Sequence, residues 1–293
     1  MNRAFKFIMR ISIVLLILGA IVFYAKQDIA NIIKLVRMAQ DVSSSLYLRG
    51  YDAEVQAQKV EGVTRNLSGL TYSDYHDSLF ATVNNPPELL QLNKEGQVLD
   101  RMKIERIPDP ETVEHIHGDE FYLASEREGK VYRVRLDRRA HGVKILSSIS
   151  FADLAQGRND GIEGIAWNPQ REALYVAKEK RPPSITEVTM SDSNPGFQRV
   201  SGDRLKGVKD ISGLAYSSAS QTLLVLSDDS RVIMEMDAGY NVLDRLHLQQ
   251  GWASLAHDIP QPEGIAVDKL GNIYVVSEPN LFYRFHKQAR VKG

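Results

Sequence analysis

Five segments of this chain repeat one pattern: a short apolar run, a turn, and a second apolar run that ends on an acid or an amide. The clearest copy is Gly161 to Lys180, GIEGIAWNPQREALYVAKEK. Its runs Ile165-Ala166-Trp167 and Leu174-Tyr175-Val176 are rich in β-formers. Asn168-Pro169-Gln170-Arg171 between them is a turn signal, because Pro presets φ and Asn tolerates turn geometry. The segment predicts a β-hairpin with Glu163 entering and Glu179 leaving.

Leu67-Ser68-Gly69-Leu70, Pro110-Glu111-Thr112-Val113, Ile211-Ser212-Gly213-Leu214 and Pro262-Glu263-Gly264-Ile265 lay over the first run. Residues 79–84, 121–126, 223–228 and 273–278 lay over the second. Starts at 68, 111, 163, 212 and 263 are spaced by 43, 52, 49 and 51 residues. A period of that size built from short strands is the mark of a β-propeller, with one four-stranded sheet per repeat. The expected fold is all-β, a five-bladed, NHL-like propeller over residues 51–293. Within Glu54 to Val60, the stretch Val55 to Val60 alternates apolar and polar residues, and the last repeat runs out of chain after Phe285. That early strand is expected to complete the blade begun at Glu263.

Ahead of the repeats, Arg3, Lys6 and Arg10 precede the apolar run Ile11 to Ala25. Basic residues before such a span hold the N-terminus in the cytoplasm, and Val22-Phe23-Tyr24-Ala25-Lys26 is too bulky for a good signal-peptide cut. Residues 1–26 are expected to be an uncleaved signal anchor, one transmembrane helix in the cell inner membrane. The propeller then lies outside, which in a Gram-negative bacterium is the periplasm. Residues 27–50 carry an i, i+3, i+4, i+7 stripe of Ile29, Ile32, Ile33 and Val36, followed by the linker Asp41 to Ser45.

Lys+Arg 36 against Asp+Glu 37 leaves a net charge of -1, without the basic footprint of a nucleic-acid binder. Cysteine is absent, which removes disulfides, thiolate metal sites and Cys nucleophiles.

Each hairpin folds about its midpoint, so its two ends should lie opposite one another. That places Ser68 by Asn84, Glu111 by Glu126, Glu163 by Glu179, Ser212 by Asp228 and Glu263 by Glu278. First strands line a propeller's channel, so these residues should ring one of its mouths. Facing like charges repel, and two remedies exist. Arg127, Lys178, Lys180 and Arg181 stand beside the second-strand acids and can pair with them. The alternative is a bound cation, and an all-oxygen set of carboxylates, hydroxyls and waters suits Ca²⁺ best. No ring position offers the His or Cys that Zn²⁺ would want. Glu111, Glu163 and Glu263 are the favoured direct ligands. Glu126, Glu179, Asp228 and Glu278 are expected to stand behind them or to pair with bases. Asn66, Asp109, Gly161, Asp210 and Gln261 lie two residues before the ring positions.

His115-x-His117 has the look of a metal pair. His115, however, aligns with Tyr72, Trp167, Tyr216 and Val267, the large residues of the other first strands, and these read as packing positions between blades. His257, beside Asp258 in the loop before the last repeat, is a weak candidate for catalysis.

The single N-terminal span, the GIEGIAW and QPEGIAVD segments and second strands of the YVVSE kind resemble the bacterial SdiA-regulated family over roughly residues 55–290. The resemblance implies a five-bladed propeller with a calcium site, and it implies no particular reaction. Two functions fit. One is a membrane-anchored, calcium-binding scaffold that takes a small-molecule or protein ligand at the channel mouth. The other is a calcium-dependent hydrolase of lactones, esters or phosphoesters, in which the ion polarises the scissile oxygen and a Glu or His257 acts as base. The chain has no G-x-S-x-G elbow.

Overall fold

The structure, a computed structural model, describes residues 45–151, 161–189 and 196–288. The expected anchor helix and the stripe that follows it lie outside those residues. Among the described residues, no helix is long and apolar enough to cross a membrane.

The chain opens with β1 (Tyr51–Lys59) and continues as hairpin-linked strands. β2 (Leu67–Ser73), β3 (Ser78–Asn84), β4 (Pro87–Leu92) and β5 (Val98–Lys103) form one antiparallel meander. β6 (Pro110–His117), β7 (Glu120–Ser125), β8 (Lys130–Asp137) and β9 (Gly142–Ser150) form the next. These two share one sheet, because Lys103 and Gly142 make a single parallel bridge between β5 and β9. β10 (Ile162–Asn168), β11 (Ala173–Lys178), β12 (Ser184–Thr189) and β13 (Gly196–Ser201) make a separate sheet. So do β14 (Gly213–Ser217), β15 (Thr222–Ser227), β16 (Val232–Met236) and β17 (Val242–His247). In the last sheet β18 (Pro262–Val267), β19 (Ile273–Ser277) and β20 (Leu281–Lys287) are completed by β1, which pairs antiparallel with β20. The early strand closes the last sheet, as its sequence implied.

Second strands read as unbroken apolar runs because each sheet is covered on both faces. Alternate residues serve different neighbours. Phe121 and Leu123 pack towards the β2–β5 sheet, while Tyr122 and Ala124 pack towards the β10–β13 sheet. Leu223 and Val225 join the cluster against β10–β13, whereas Leu224 and Leu226 join the one against β18–β20. Burying each such side chain is worth about 1.5–3 kcal/mol, so the core is a set of wedges between consecutive sheets.

The first strands form a cycle. β2 contacts β6, β6 contacts β10, β10 contacts β14, β14 contacts β18, and β18 returns to β2. The repeated glycine permits it. A Cβ on Gly264 would lie 2.7 Å from the Leu70 nitrogen, and one on Gly69 would lie 2.4 Å from the Thr112 Cα. Sheets radiating from a closed cycle of inner strands are a β-propeller.

Ser45 to Gly50, read as linker from sequence, pack on the β14–β17 sheet. The Ser45 hydroxyl and the Leu46 amide donate to the buried Glu235 carboxylate at 2.8 and 2.7 Å, and Thr222 donates to it at 2.9 Å. Leu48 is fully buried beside them.

Candidate functional site

The expected ring residues do gather at one mouth, but not by the expected pairing. Ile162 pairs with Lys178 and Gly164 with Ala177, which leaves Glu163 in a β-bulge. Glu111 and Glu263 sit in equivalent bulges, between the Pro110–Ser125 and Thr112–Ala124 pairs and between the Pro262–Ser277 and Gly264–Val276 pairs. Ser68 falls in a register shift between Leu67 and Leu70. A bulge adds one residue to the inner strand, which a symmetric folding of the hairpin cannot anticipate, and it re-aims the side chain.

The second-strand residues bond instead to residues two places before the ring. The amides of Asn84, Glu126, Glu179 and Glu278 donate to the carbonyls of Asn66, Asp109, Gly161 and Gln261 at 3.3, 3.2, 3.4 and 3.0 Å. The Asp228 amide donates to the Asp210 carboxylate at 3.2 Å. Asn66, Asp109 and Gln261 adopt left-handed backbone, with φ of 64°, 54° and 36°, to make this turn into the strand.

Ser68 and Ser212 are buried, and their hydroxyls donate to the carbonyls of Glu111 and Pro262, each at 2.6 Å. They tie β2 to β6 and the start of β14 to β18. The Asn84 amide nitrogen donates to the Glu111 carboxylate at 2.6 Å. Its carbonyl oxygen is buried with no hydrogen-bond partner. The carboxylates of Asp109, Glu111 and Glu126 have oxygens within 4.8 Å of one another, and so do those of Asp210, Asp228 and Asp229.

The electrostatics follow from crowding in a poorly hydrated channel. Burial pushes the Glu111 carboxyl up to about 7, with Asp109 and Glu126 adding to the effect and the Asn84 hydrogen bond opposing it. Burial and the charges of Asp228, Glu278, Glu111 and Glu179 push Glu263 up to about 8. Glu163 is raised well above the usual carboxylate range, first by burial and then by Glu111, Glu126, Glu179 and Glu263, so it faces acids from several strands at once. Burial also raises Glu126, Asp228 and Glu278.

Ion pairs among the described residues answer part of this. Lys180 pairs with Glu179 at 2.9 Å and with Asp229 at 3.4 Å, and Arg127 reaches Asp109 at 3.5 Å. The ion pairs thus fall on the periphery, while Glu111, Glu163 and Glu263 lie inside it. The residues fit a hard cation by chemistry as well as by charge, since the Asn84 carbonyl supplies a buried oxygen in want of a partner.

The histidines lie elsewhere. His115 takes part in packing, with its ring against Phe121 at 5.0 Å and its Nε2 at 3.0 Å from the Gly118 carbonyl. His117 is exposed, beside Glu120 and Arg133. His257 is exposed in the loop between β17 and β18, where its neighbour Asp258 pairs with Arg231.

Trp167 stands four residues along β10 from Glu163, about 13 Å at the rise of a strand. It marks the opposite mouth. Tyr72, His115, Tyr216 and Val267 accompany it there, all half-buried. Tyr72, Trp167, Tyr216 and Val267 abut the clusters between sheets, as the sequence implied. The five residues also line a cavity of about 160 Å³, which the sequence reading missed.

A closed cycle of inner strands with acids gathered at one end defines a β-propeller with an acidic mouth. The chain belongs to the SdiA-regulated family, whose model matches residues 43–286. Among solved structures, a luciferin-regenerating enzyme is similar in fold, with a TM-score of 0.54 and 12% identity over 82% of this chain and 97% of that one. A chain from a nidogen–laminin complex aligns with a TM-score of 0.48 and 15% identity over 73% of each chain.

Proposed function

We propose that this chain is a five-bladed propeller that binds Ca²⁺ at its acidic mouth and serves as a binding module there. The blade count rests on the cycle of β2, β6, β10, β14 and β18. One observation carries the ion: Glu163 stands among Glu111, Glu126, Glu179 and Glu263, while among the described residues Lys180 pairs with Glu179 and Asp229 and Arg127 with Asp109. Glu111, Glu163 and Glu263 would hold the ion directly, with the Asn84 carbonyl beside them. Glu126, Glu278, Ser68 and Ser212 would frame that set, and Glu179 and Asp228 would stay with their own partners. An ion so placed lowers the cost of holding the acids together and offers a charged floor for an anionic or carbonyl-bearing ligand. The N-terminal segment would anchor the propeller to the inner membrane from the periplasmic side, on the strength of its basic and apolar residues.

Calorimetric titration of the metal-stripped full chain with Ca²⁺, with Mg²⁺ as control, tests the proposal. Saturable binding near one ion per chain is expected, and an absence of binding would leave the acids as a merely solvated ring.

A second reading, a calcium-dependent hydrolase of lactones, esters or phosphoesters, draws on the structural neighbour named as an enzyme and on exposed His257 in the loop that leads into β18 and Glu263. A panel of such substrates in calcium separates the two readings. Turnover lost in His257→Ala would favour the enzyme, and no turnover with the ion bound would favour the binding module.

A further inference from the structure

We propose that the aromatic mouth, at the other end of the channel from the acids, is a second site that binds a small organic cation of the quaternary-ammonium type. Its cavity, about 160 Å³, is of the order that holds a benzene-sized guest. Four aromatic rings, of Tyr72, His115, Trp167 and Tyr216, come to it from four different inner strands, β2, β6, β10 and β14.

Three of these rings are braced from behind. Trp167 leans on Tyr122 at 5.9 Å, Tyr216 on Tyr175 at 6.2 Å and His115 on Phe121 at 5.0 Å. The cage is therefore fixed before a ligand arrives, which spares the cost of ordering it. Tyr72 already engages a cation, since the Lys94 ammonium lies 5.4 Å from its ring centroid.

The charge balance selects the sign. Asp74 and Asp268 line the cavity against the single lining base Lys269, whose amine turns to Asp77 at 3.6 Å; burial pushes the third lining acid, Glu114, up to about 8, so it adds little negative charge near neutrality. Burial lowers the pKa of His115, so this ring adds no positive charge near neutrality. The hydrogen-bonding inventory argues against a sugar. Glu114 is taken by the Trp167 amide at 2.9 Å and the Thr71 hydroxyl at 2.7 Å. Asp268 accepts from the Leu270 and Asn272 amides, the Asn272 side chain and the Tyr274 hydroxyl. The Tyr72 hydroxyl donates to Asp77 at 2.5 Å. Beside the Asp74 carboxylate and the Ser218 side chain, the cavity offers aromatic surface and negative potential, the combination that recognises alkylated ammonium groups.

Trp167 is one of two tryptophans, so its fluorescence reports on the cavity once exposed Trp252 is replaced by Phe. The full chain carrying Trp252→Phe is titrated with choline chloride at constant ionic strength, and in parallel with its neutral isostere 3,3-dimethylbutan-1-ol and with methyl glucoside. Choline should give a saturable change, and the neutral alcohol should bind about tenfold more weakly or not at all. Tyr216→Leu should weaken choline about tenfold, while Glu163→Gln at the opposite mouth leaves it unchanged. Ser218→Lys, an exposed position on the rim, should also weaken it and leaves the core untouched. Equal affinity for choline and the neutral alcohol, tighter binding of the glucoside, no saturable change with choline, or indifference to Ser218→Lys would each overturn the proposal.

Discussion

Asn84 donates one hydrogen bond to Glu111 at 2.6 Å and keeps a buried carbonyl oxygen without a partner. The first contact fixes the amide, so its one carbonyl oxygen is fixed too. An unsatisfied buried acceptor costs about 1–3 kcal/mol. A cation bound by Glu111 would remove that cost, which ties the orientation of Asn84 to the proposed ion.

Asn84→Ala therefore removes both an oxygen ligand and the support of Glu111. Its calcium affinity should fall about tenfold or more in a calorimetric titration, by analogy with groups that orient metal ligands. Asn84→Asp keeps the oxygen and adds charge. It should bind calcium at least as tightly as the parent while melting lower when metal-free. Unchanged affinity in Asn84→Ala would remove this residue from the site.

The raised carboxyl groups set a pH dependence with a definite sign. An acid whose folded-state pKa lies above its unfolded value binds more protons folded than unfolded, so stability falls as pH rises between the two values. For Glu111 that interval runs from 4.5 to about 7, and for Glu263 from 4.5 to about 8. The metal-free protein should be most stable below pH 4.5 as far as these two groups are concerned, and should lose melting temperature from there to about 8. Saturating Ca²⁺ should flatten or reverse the slope, because the ion favours the ionised forms. Thermal melts at a series of pH values, with chelator and with calcium, would show it. A metal-free slope of the opposite sign would contradict the assigned crowding.

Glu163→Gln removes a carboxyl that faces four other acids. In chelator its melting temperature should rise, at about 2–4 °C per kcal/mol relieved in a domain of this size. In calcium it should gain little further, so parent and variant change order between the two conditions. A full calcium shift retained in this variant would place the ion elsewhere.

Gly264→Ala tests the inner cycle. The added methyl would lie 2.7 Å from the Leu70 nitrogen across the junction between the last and first repeats. Backbone must move to admit it, at a cost of about 1–3 kcal/mol. Gly50→Ala meets nothing within 4 Å and should stay within about 0.5 kcal/mol of the parent. Denaturant midpoints of the two variants give the comparison.

Much of this architecture can be read from residue order alone. The period of the Glu-Gly-Ile segments marks the inner strands, and the acids and hydroxyls that begin them do meet at one mouth. The register does not follow, because a bulge at Glu111, Glu163 or Glu263 changes no apolar alternation that a reader could count. Left-handed Asn66 and Asp109 hint at it, since both residue types tolerate that conformation, but Gln261 does the same with no such preference. The cavity at Trp167 escapes for a related reason: a large residue at the end of an inner strand packs on one side and faces open space on the other, and the sequence carries a single letter for both. The docking of Leu46 and Leu48 depends on Glu235, far along the chain, and no local pattern announces it.

The pairing of β1 with β20 imposes an order of events. β1 leaves the ribosome first and its partner strand last, more than 200 residues later, so the final sheet stays a strand short until synthesis is nearly done. Contacts of such sequence separation form slowly. Until then the nascent chain carries an open seam at the β18–β20 sheet, a place for a chaperone to hold. Tension applied at the two ends of the finished ring would meet this same seam first.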